Sequence, residues 1–230
     1  MAILNVLRQE KKYLMSLSET KALYFLLSKV LHEDEHNESN GYLVRSLYFD
    51  TPFDHDYYEK EDGLDYRKKI RVRVYSSKAK TAKLEMKEKS GDNQRKRSLT
   101  ISKEQALSMI EGNYEFLTSM EEHFAMELYL LMSMNLYRPK CIVEYDRTAF
   151  IVPENNTRLT LDMNIRSSES DFNIFSDELN LYPVTSPDDV TLEVKFNNFL
   201  LGYVKDLLDS CGKVQVSNSK YILSRSISYF

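Results

Sequence analysis

The stretch "DYRKKIRVRVY", Asp65 to Tyr75, decides how the rest of the chain is read. It carries five positive charges in eleven residues, and four of them, Arg67, Lys69, Arg71 and Arg73, recur at every second position. Side chains alternate across a β-strand, so these four share one face, while Tyr66, Ile70, Val72 and Val74 share the other with Lys68 as the only interruption. A strand with one apolar and one polar face usually turns the polar face to water. The other strands decide whether that holds here.

They repeat the pattern. In "KLEMKEK" Lys83, Glu85, Lys87 and Lys89 oppose Leu84 and Met86, and in "RLTLDMNI" Arg158, Thr160, Asp162 and Asn164 oppose Leu159, Leu161, Met163 and Ile165. In "TLEVKF" Thr191, Glu193 and Lys195 oppose Leu192, Val194 and Phe196, and near the N-terminus Arg8, Glu10 and Lys12 share parity. Two arrangements follow. A flat sheet could turn each charged face to solvent, or a barrel could turn its apolar side outward beneath helices and line its interior with the charges. A cationic interior is costly without counter-charge. It suits a polyanion, with arginine forks on phosphate oxygens, lysines as point charges, and Glu10, Glu85 and Glu193 available to a hard divalent cation.

A chain of 230 residues suffices for one sizeable domain, read here as a single domain over 1–230. The net charge of −4 excludes a general polyanion binder and makes any basic feature local. No apolar run is long enough to cross a bilayer, and the opening "MAILNVLRQEKKYL" lacks a signal-peptide core. Cys141 and Cys211, without CxxC spacing, read as reduced thiols of a cytoplasmic protein. The four histidines (His32, His36, His55, His123) suggest neither a metal cluster nor a catalytic base, and with six glycines and no Walker-type loop, phosphates must be held by side chains.

The spacing predicts a helix over 18–36, with a capping box from Ser16 to Glu19 and an apolar stripe of Leu23, Leu26, Leu27, Val30 and Leu31. A strand "YLVRSLYFDT" leads into a polar segment, "PFDHDYYEKEDG", that ends in an Asp62-Gly63 turn. After "KRSLTIS", Ser102 caps a short helix with Gln105 three residues on, and Gly112 stops it. A helix is expected over 115–136, strands at "CIVEYDRTAFIV" and "TRLTLDMNI", a long loop or lid over 166–190, a strand at "VTLEVKF", and helices at "FLLGYVKDLLDSCG" and "SNSKYILSRS". Strands interspersed with helices give an α+β class with an antiparallel sheet.

In order, "EKKYL", "SLYFDT", "KIRVRVY", "KLEMKEK", "VEYDRTAF", "RLTLD", "LEVKF" and "SKY" resemble the VTC domain, the polyphosphate polymerase-like branch of the triphosphate tunnel metalloenzymes (CYTH-like superfamily), over nearly the whole chain. The resemblance implies an eight-stranded antiparallel β-barrel tunnel with helices packed around its outside. It implies that basic side chains bind a triphosphate or polyphosphate, with a wall glutamate holding Mn2+ or Mg2+. Arg71 and Arg73 match the arginines on the transferring phosphate. Lys12, Lys87, Arg147 and Arg158 match further phosphate positions, with Tyr145 and Lys195 beside them, and Ser219 and Lys220 match the closing "SK" at a helix start. Glu193 matches the metal-holding carboxylate. Glu10 and Glu85 are further ligand candidates, and for Asp162 ligation and the orienting of an arginine are equally open.

Two features sit awkwardly. Arg147 shares the parity of Val143 and Ala149, which places it outside unless a bulge intervenes. Where the polymerase branch can carry a lysine two residues before Ser219, this chain has Ser217. Lys96 and Arg97 read as exposed charge or as guides at a tunnel mouth.

The expected activity is metal-dependent phosphoryl transfer on ATP or another triphosphate, most like a polyphosphate polymerase. A triphosphatase and a non-catalytic polyphosphate sensor are the alternatives. Single-stranded nucleic-acid binding ranks low, because no aromatic ladder interleaves the basic positions. Any membrane-coupled export would require a separate membrane partner.

Overall fold

A computed structural model describes residues 8–38, 41–91 and 93–226. The strands are β1 (Arg8–Ser16), β2 (His32–Glu33), β3 (Tyr42–Asp50), β4 (Tyr66–Val74), β5 (Thr81–Ser90), β6 (Asn93–Ser102), β7 (Arg138–Val152), β8 (Thr157–Ser168), β9 (Tyr182–Pro183), β10 (Asp189–Asn197) and β11 (Val214–Gln215). The helices are α1 (Leu17–Val30), α2 (His55–Glu61), α3 (Lys103–Ile110), α4 (His123–Met134), α5 (Gly202–Asp209) and α6 (Lys220–Ser226).

The class is mixed α+β with a large antiparallel sheet. Eight strands run nine residues or more, and β2, β9 and β11 are two-residue additions. Among the described residues the path of strand pairings ends at β11 and at β6 without joining them, so the sheet is not the closed eight-stranded barrel expected. Alternation fixes which face a side chain takes, whereas closure depends on tilt and stagger accumulated over every strand, which no local pattern encodes.

Two compact units share the chain. The first takes the described residues of Met1–Leu43, Tyr145–Ile165 and Thr185–Asn218; the second takes those of Val44–Glu144, Arg166–Val184 and Ser219–Phe230. The first has strand order β11-β1-β10-β8-β7 and the second β7-β3-β4-β5-β6, because the long strands β7 and β8 contribute to both.

In the first unit, Leu159, Leu161, Leu192 and Val194 join Leu23 and Leu27 of α1 and Val204 and Leu208 of α5 in one apolar core. The second unit repeats the scheme: Ile70, Val72, Leu84 and Met86 pack beneath Ala106 and Met109 of α3 and Leu128 and Met132 of α4. Burying each such aliphatic side chain contributes about 1.5–3 kcal/mol. In both units the apolar strand face is therefore the helix-covered one, and the charged residues take the opposite face.

Several sequence readings shift. Helix α1 keeps its Ser16 cap, which accepts from the Glu19 amide at 3.2 Å, but ends at Val30, and Leu26 and Val30 stay exposed. The expected 115–136 helix is a 3-10 turn (Glu115–Ser119) and then α4, parted by an extended Met120. The box on α3 forms as read, with Ser102 and Gln105 exchanging bonds.

Inside "PFDHDYYEKEDG" lies a helix, α2, whose own N-cap Asp54 makes no side-chain cap. Asp50 from the preceding strand accepts from the amides of Asp56 and Tyr57 instead, both at 2.9 Å, and Tyr221 donates to it at 2.7 Å. Burial and the neighbouring Asp50 push the Asp56 carboxyl up to about 7, against the opposing pull of Lys68. Lys68, the apolar-face interruption, reaches Asp56 at 3.0 Å and Glu59 at 3.1 Å and so fastens α2 to β4.

Nor is the 166–190 segment a free lid. β8 continues to Ser168, β9 pairs with it, and Arg45 donates to the carbonyls of Ile174 (2.9 Å) and Ser176 (2.6 Å) while Ile174 and Phe175 are buried. Cys141 and Cys211 are free thiols, and among the described residues no helix is long and apolar enough to cross a membrane.

Candidate functional site

The polar face of the second unit is built by strand register. Across β4, β5 and β6 the rows are Arg73–Lys83–Thr100, Arg71–Glu85–Ser98, Lys69–Lys87–Lys96 and Arg67–Lys89–Gln94. Eight basic residues thus surround one carboxylate, and one row sets three lysines side by side. Like charges placed directly opposite each other destabilise a sheet. Arg71 and Arg73 are each only 7% exposed and Glu85 1%, so the centre of this face is buried, while Lys83, Lys96, Ser98 and Thr100 towards β6 are exposed.

Glu85 is the local counter-ion. Arg71 donates to its Oε2 from Nε (2.8 Å) and Nη2 (2.6 Å), and Lys96 takes Oε1. Burial alone would raise the Glu85 carboxyl, but Arg71, Arg73 and Lys96 outweigh it and hold it at about 2. Arg71 Nη1 also donates to the Tyr48 hydroxyl (3.0 Å), and Arg73 Nε donates to Ser46 (3.1 Å). Lys69 Nζ donates to Ser219, immediately before α6, where Lys220 is the first residue. Arg97 serves the other face: it stacks over Phe124 at 4.3 Å and pairs with Glu88 and Glu127, anchoring α4 rather than guiding a ligand.

A depressed carboxyl contributes stability above its ordinary range, and that contribution is lost as pH falls through the folded value. Acid titration should therefore cost the wild type stability between about pH 4 and 2. In Glu85→Gln that component should be missing, as read by unfolding midpoints against pH.

The first unit carries a balanced cluster. Register places Lys12, Glu193 and Thr160 in one row and Glu10, Lys195 and Arg158 in the next. Lys12 lies 3.3 Å from Glu10 and 3.8 Å from Glu193; Lys195 lies 3.0 Å from Glu193 and 3.8 Å from Glu10. Arg147 grips Asp162 with two bonds, 2.6 and 2.7 Å, reaches Glu193 at 3.7 Å and lies over the Tyr145 ring. Burial disfavours the Arg147 charge, but the Asp162 carboxylate more than restores it. Arg158 pairs with Asp34 (2.7 Å) and donates also to Tyr42 (2.9 Å).

Arg147 needs no bulge to reach this face. The residues of β7 that enter the first unit's apolar core are Phe150 and Val152, so its odd positions turn to the charged side, and Val143 and Ala149 mislead because they are small apolar residues there. Gly41 lies against this strand: at φ +83° its position leaves only 2.4 Å between an added Cβ and the Arg147 carbonyl oxygen. Asp162, read as an arginine orienter, is that partner.

The carboxylates differ in what they offer a metal ion. Among the described residues no group of three His, Cys, Asp or Glu gathers as an all-protein cage would require. Glu10 and Glu193 share two lysines, so both carboxylates meet at the same place, whereas Asp162 is committed to Arg147 and Glu85 to Arg71 and Lys96. One or two carboxylates suffice for Mg2+ or Mn2+ that completes its shell with phosphate and water, so Glu10 and Glu193 fit such an ion.

The expected site residues thus form two groups, one per unit. The sequence profile of the VTC domain matches residues 7–229, which spans both. The chain belongs to the VTC domain family. No curated protein matches its sequence. Among solved structures, this VTC domain resembles a "putative adenylate cyclase" from Bacillus halodurans, with 15% identity over 93% of this chain and 96% of that one, at a TM-score of 0.51. It also aligns with a protein from Pyrococcus horikoshii OT3 at 11% identity over 97% and 99% of the chains, with a TM-score of 0.48. The first likeness is one of fold.

Proposed function

We propose that this VTC domain performs divalent-metal-dependent phosphoryl transfer on a nucleoside triphosphate or polyphosphate, as a polyphosphate polymerase-like phosphotransferase. One observation carries the reading: eight basic residues surround a single, already neutralised carboxylate on a face whose central arginines are buried. Such a face is stabilised by an anion with several closely spaced charges.

Arg71 and Arg73 are assigned to the oxygens of the transferring phosphate, and Lys87, Lys69 and Lys12 to the flanking phosphates. Glu193 and Glu10 would hold Mn2+ or Mg2+, which when bound neutralises charge on the phosphate oxygens. Arg147, Arg158 and Lys195 set the local balance, and Arg147 and Lys195 orient the Glu193 carboxylate. Phosphoryl transfer is accelerated mainly by positioning and charge neutralisation, so no protein nucleophile is needed. With ATP as donor, the bond from the γ-phosphorus to the bridging oxygen breaks and ADP leaves. A polyphosphate end as acceptor yields a chain longer by one phosphate; water yields phosphate.

The test incubates the chain with ATP and Mn2+ or Mg2+ and resolves the products. Polyphosphate is the expected product, and phosphate or pyrophosphate alone would reassign the activity to a triphosphatase. Glu193→Gln should reduce turnover about 100-fold or more while polyphosphate binding survives. Binding without turnover under either metal would replace catalysis with a sensor.

A further inference from the structure

The odd residues of β1 point away from Glu10 and Lys12, and the first unit uses that opposite face differently. There Lys11 and Tyr13 meet Phe196 of β10, the loop bearing Phe199, and the end of α5, around a cavity of about 450 Å3. That volume falls within the roughly 300–1,000 Å3 of small-molecule sites. Three lysines line it (Lys11, Lys205 and Lys213) against one carboxylate, Asp209. Lys213 is held in place: it pairs with Asp209 at 3.2 Å, donates to the Leu208 carbonyl and lies 5.6 Å from the Tyr13 ring centre. Lys11 and Lys205 are exposed and make no ion pair among the described residues.

Phe199 is 62% exposed, yet its backbone is fixed. Its amide donates to Asn197 (2.7 Å), its carbonyl accepts from Asn155 (3.1 Å), and Gln9 donates to the adjacent Asn198 carbonyl (3.1 Å). An uncovered ring on a hydrogen-bonded backbone, lining the same cavity as Lys11 and Lys205, presents a stacking surface and an anion site together.

We propose that this cavity binds an aromatic phosphate monoester of the nucleoside monophosphate class, with the base against Phe199 and the phosphate between Lys11 and Lys205. The site lies on the opposite face of β1 from Glu10 and Lys12 and does not rest on the phosphoryl-transfer reading.

Calorimetric titration with AMP tests it. The charge-reversal variant Lys11→Glu/Lys205→Glu should weaken AMP binding at least about tenfold, and Phe199→Ala about fivefold or more. Arg71→Ala should leave AMP binding unchanged, and the charge-reversal variant should leave ATP turnover unchanged. Ribose 5-phosphate should bind the wild type about as weakly as AMP binds Phe199→Ala. The proposal is overturned if AMP does not bind at millimolar concentration, or if the charge-reversal variant binds it as the wild type does. AMP binding lost in Arg71→Ala alone would also overturn it, assigning the ligand to the second unit's cations. Ribose 5-phosphate binding as tightly as AMP would remove the aromatic recognition and with it the proposed ligand class.

Discussion

Arg71→Ala is expected to lower kcat/KM for ATP by about 100- to 1,000-fold, the effect of removing one donor from a charge-stabilising site. The size follows from three facts. The guanidinium is buried, it sits in the row next to the triple-lysine row, and it is oriented by Glu85 on one side and Tyr48 on the other. Its loss also strips two bonds from a carboxylate that is almost wholly buried and leaves it the ion pair with Lys96. Some destabilisation should therefore accompany the lost activity. The double variant Arg71→Ala/Glu85→Gln separates the two effects: thermal stability should recover while turnover stays low. Turnover restored in the double variant would mean that Arg71 serves Glu85 and not the phosphate.

Glu144→Ala should cost about 3–5 kcal/mol of folding stability, the range for breaking a buried ion pair from one side. Glu144 is 4% exposed and accepts from Arg45 through Nε and Nη2, both at 2.6 Å, and from Arg166 at 2.8 Å. Removing it leaves two arginines facing one another without their shared counter-charge. Urea midpoints with an unchanged m-value measure the loss, and the isosteric pair Arg45→Met/Glu144→Leu should regain much of it. Because Arg45 also carries the carbonyls of Ile174 and Ser176, proteolysis between 168 and 182 should quicken in Glu144→Ala. A loss below about 1 kcal/mol would show the trio to be solvated and of surface-pair strength.

These two cases differ in how far the sequence discloses them. Arg71 stands in a strict two-residue repeat, so its face was legible from the chain alone, as were those of Glu85 and Glu193. Glu144 and Arg45 break the apolar parity of their strands, and that interruption was the available signal; it reads as noise until partners more than ninety residues apart are brought together. For Arg147 the two signals conflict: parity with the small apolar residues Val143 and Ala149 places it outside, whereas the family resemblance places it among the phosphate-binding residues. Helix α2 leaves no local signal because its first-turn amides are capped by Asp50 from the preceding strand and not by a residue at the N-cap position.

By itself the sequence determined what is local: which side chains share a face, since the strand repeat is two residues whatever the surroundings, and where Ser16 and Ser102 start their helices. Only the tertiary structure decided how charge is apportioned. It left a cationic excess around Glu85 and a near-neutral lattice around Glu193, because pairing depends on register and on distances of a few ångströms between remote segments. It also left the ends of the sheet unjoined among the described residues, since closure sums the tilt and stagger of every strand and is written in none of them singly.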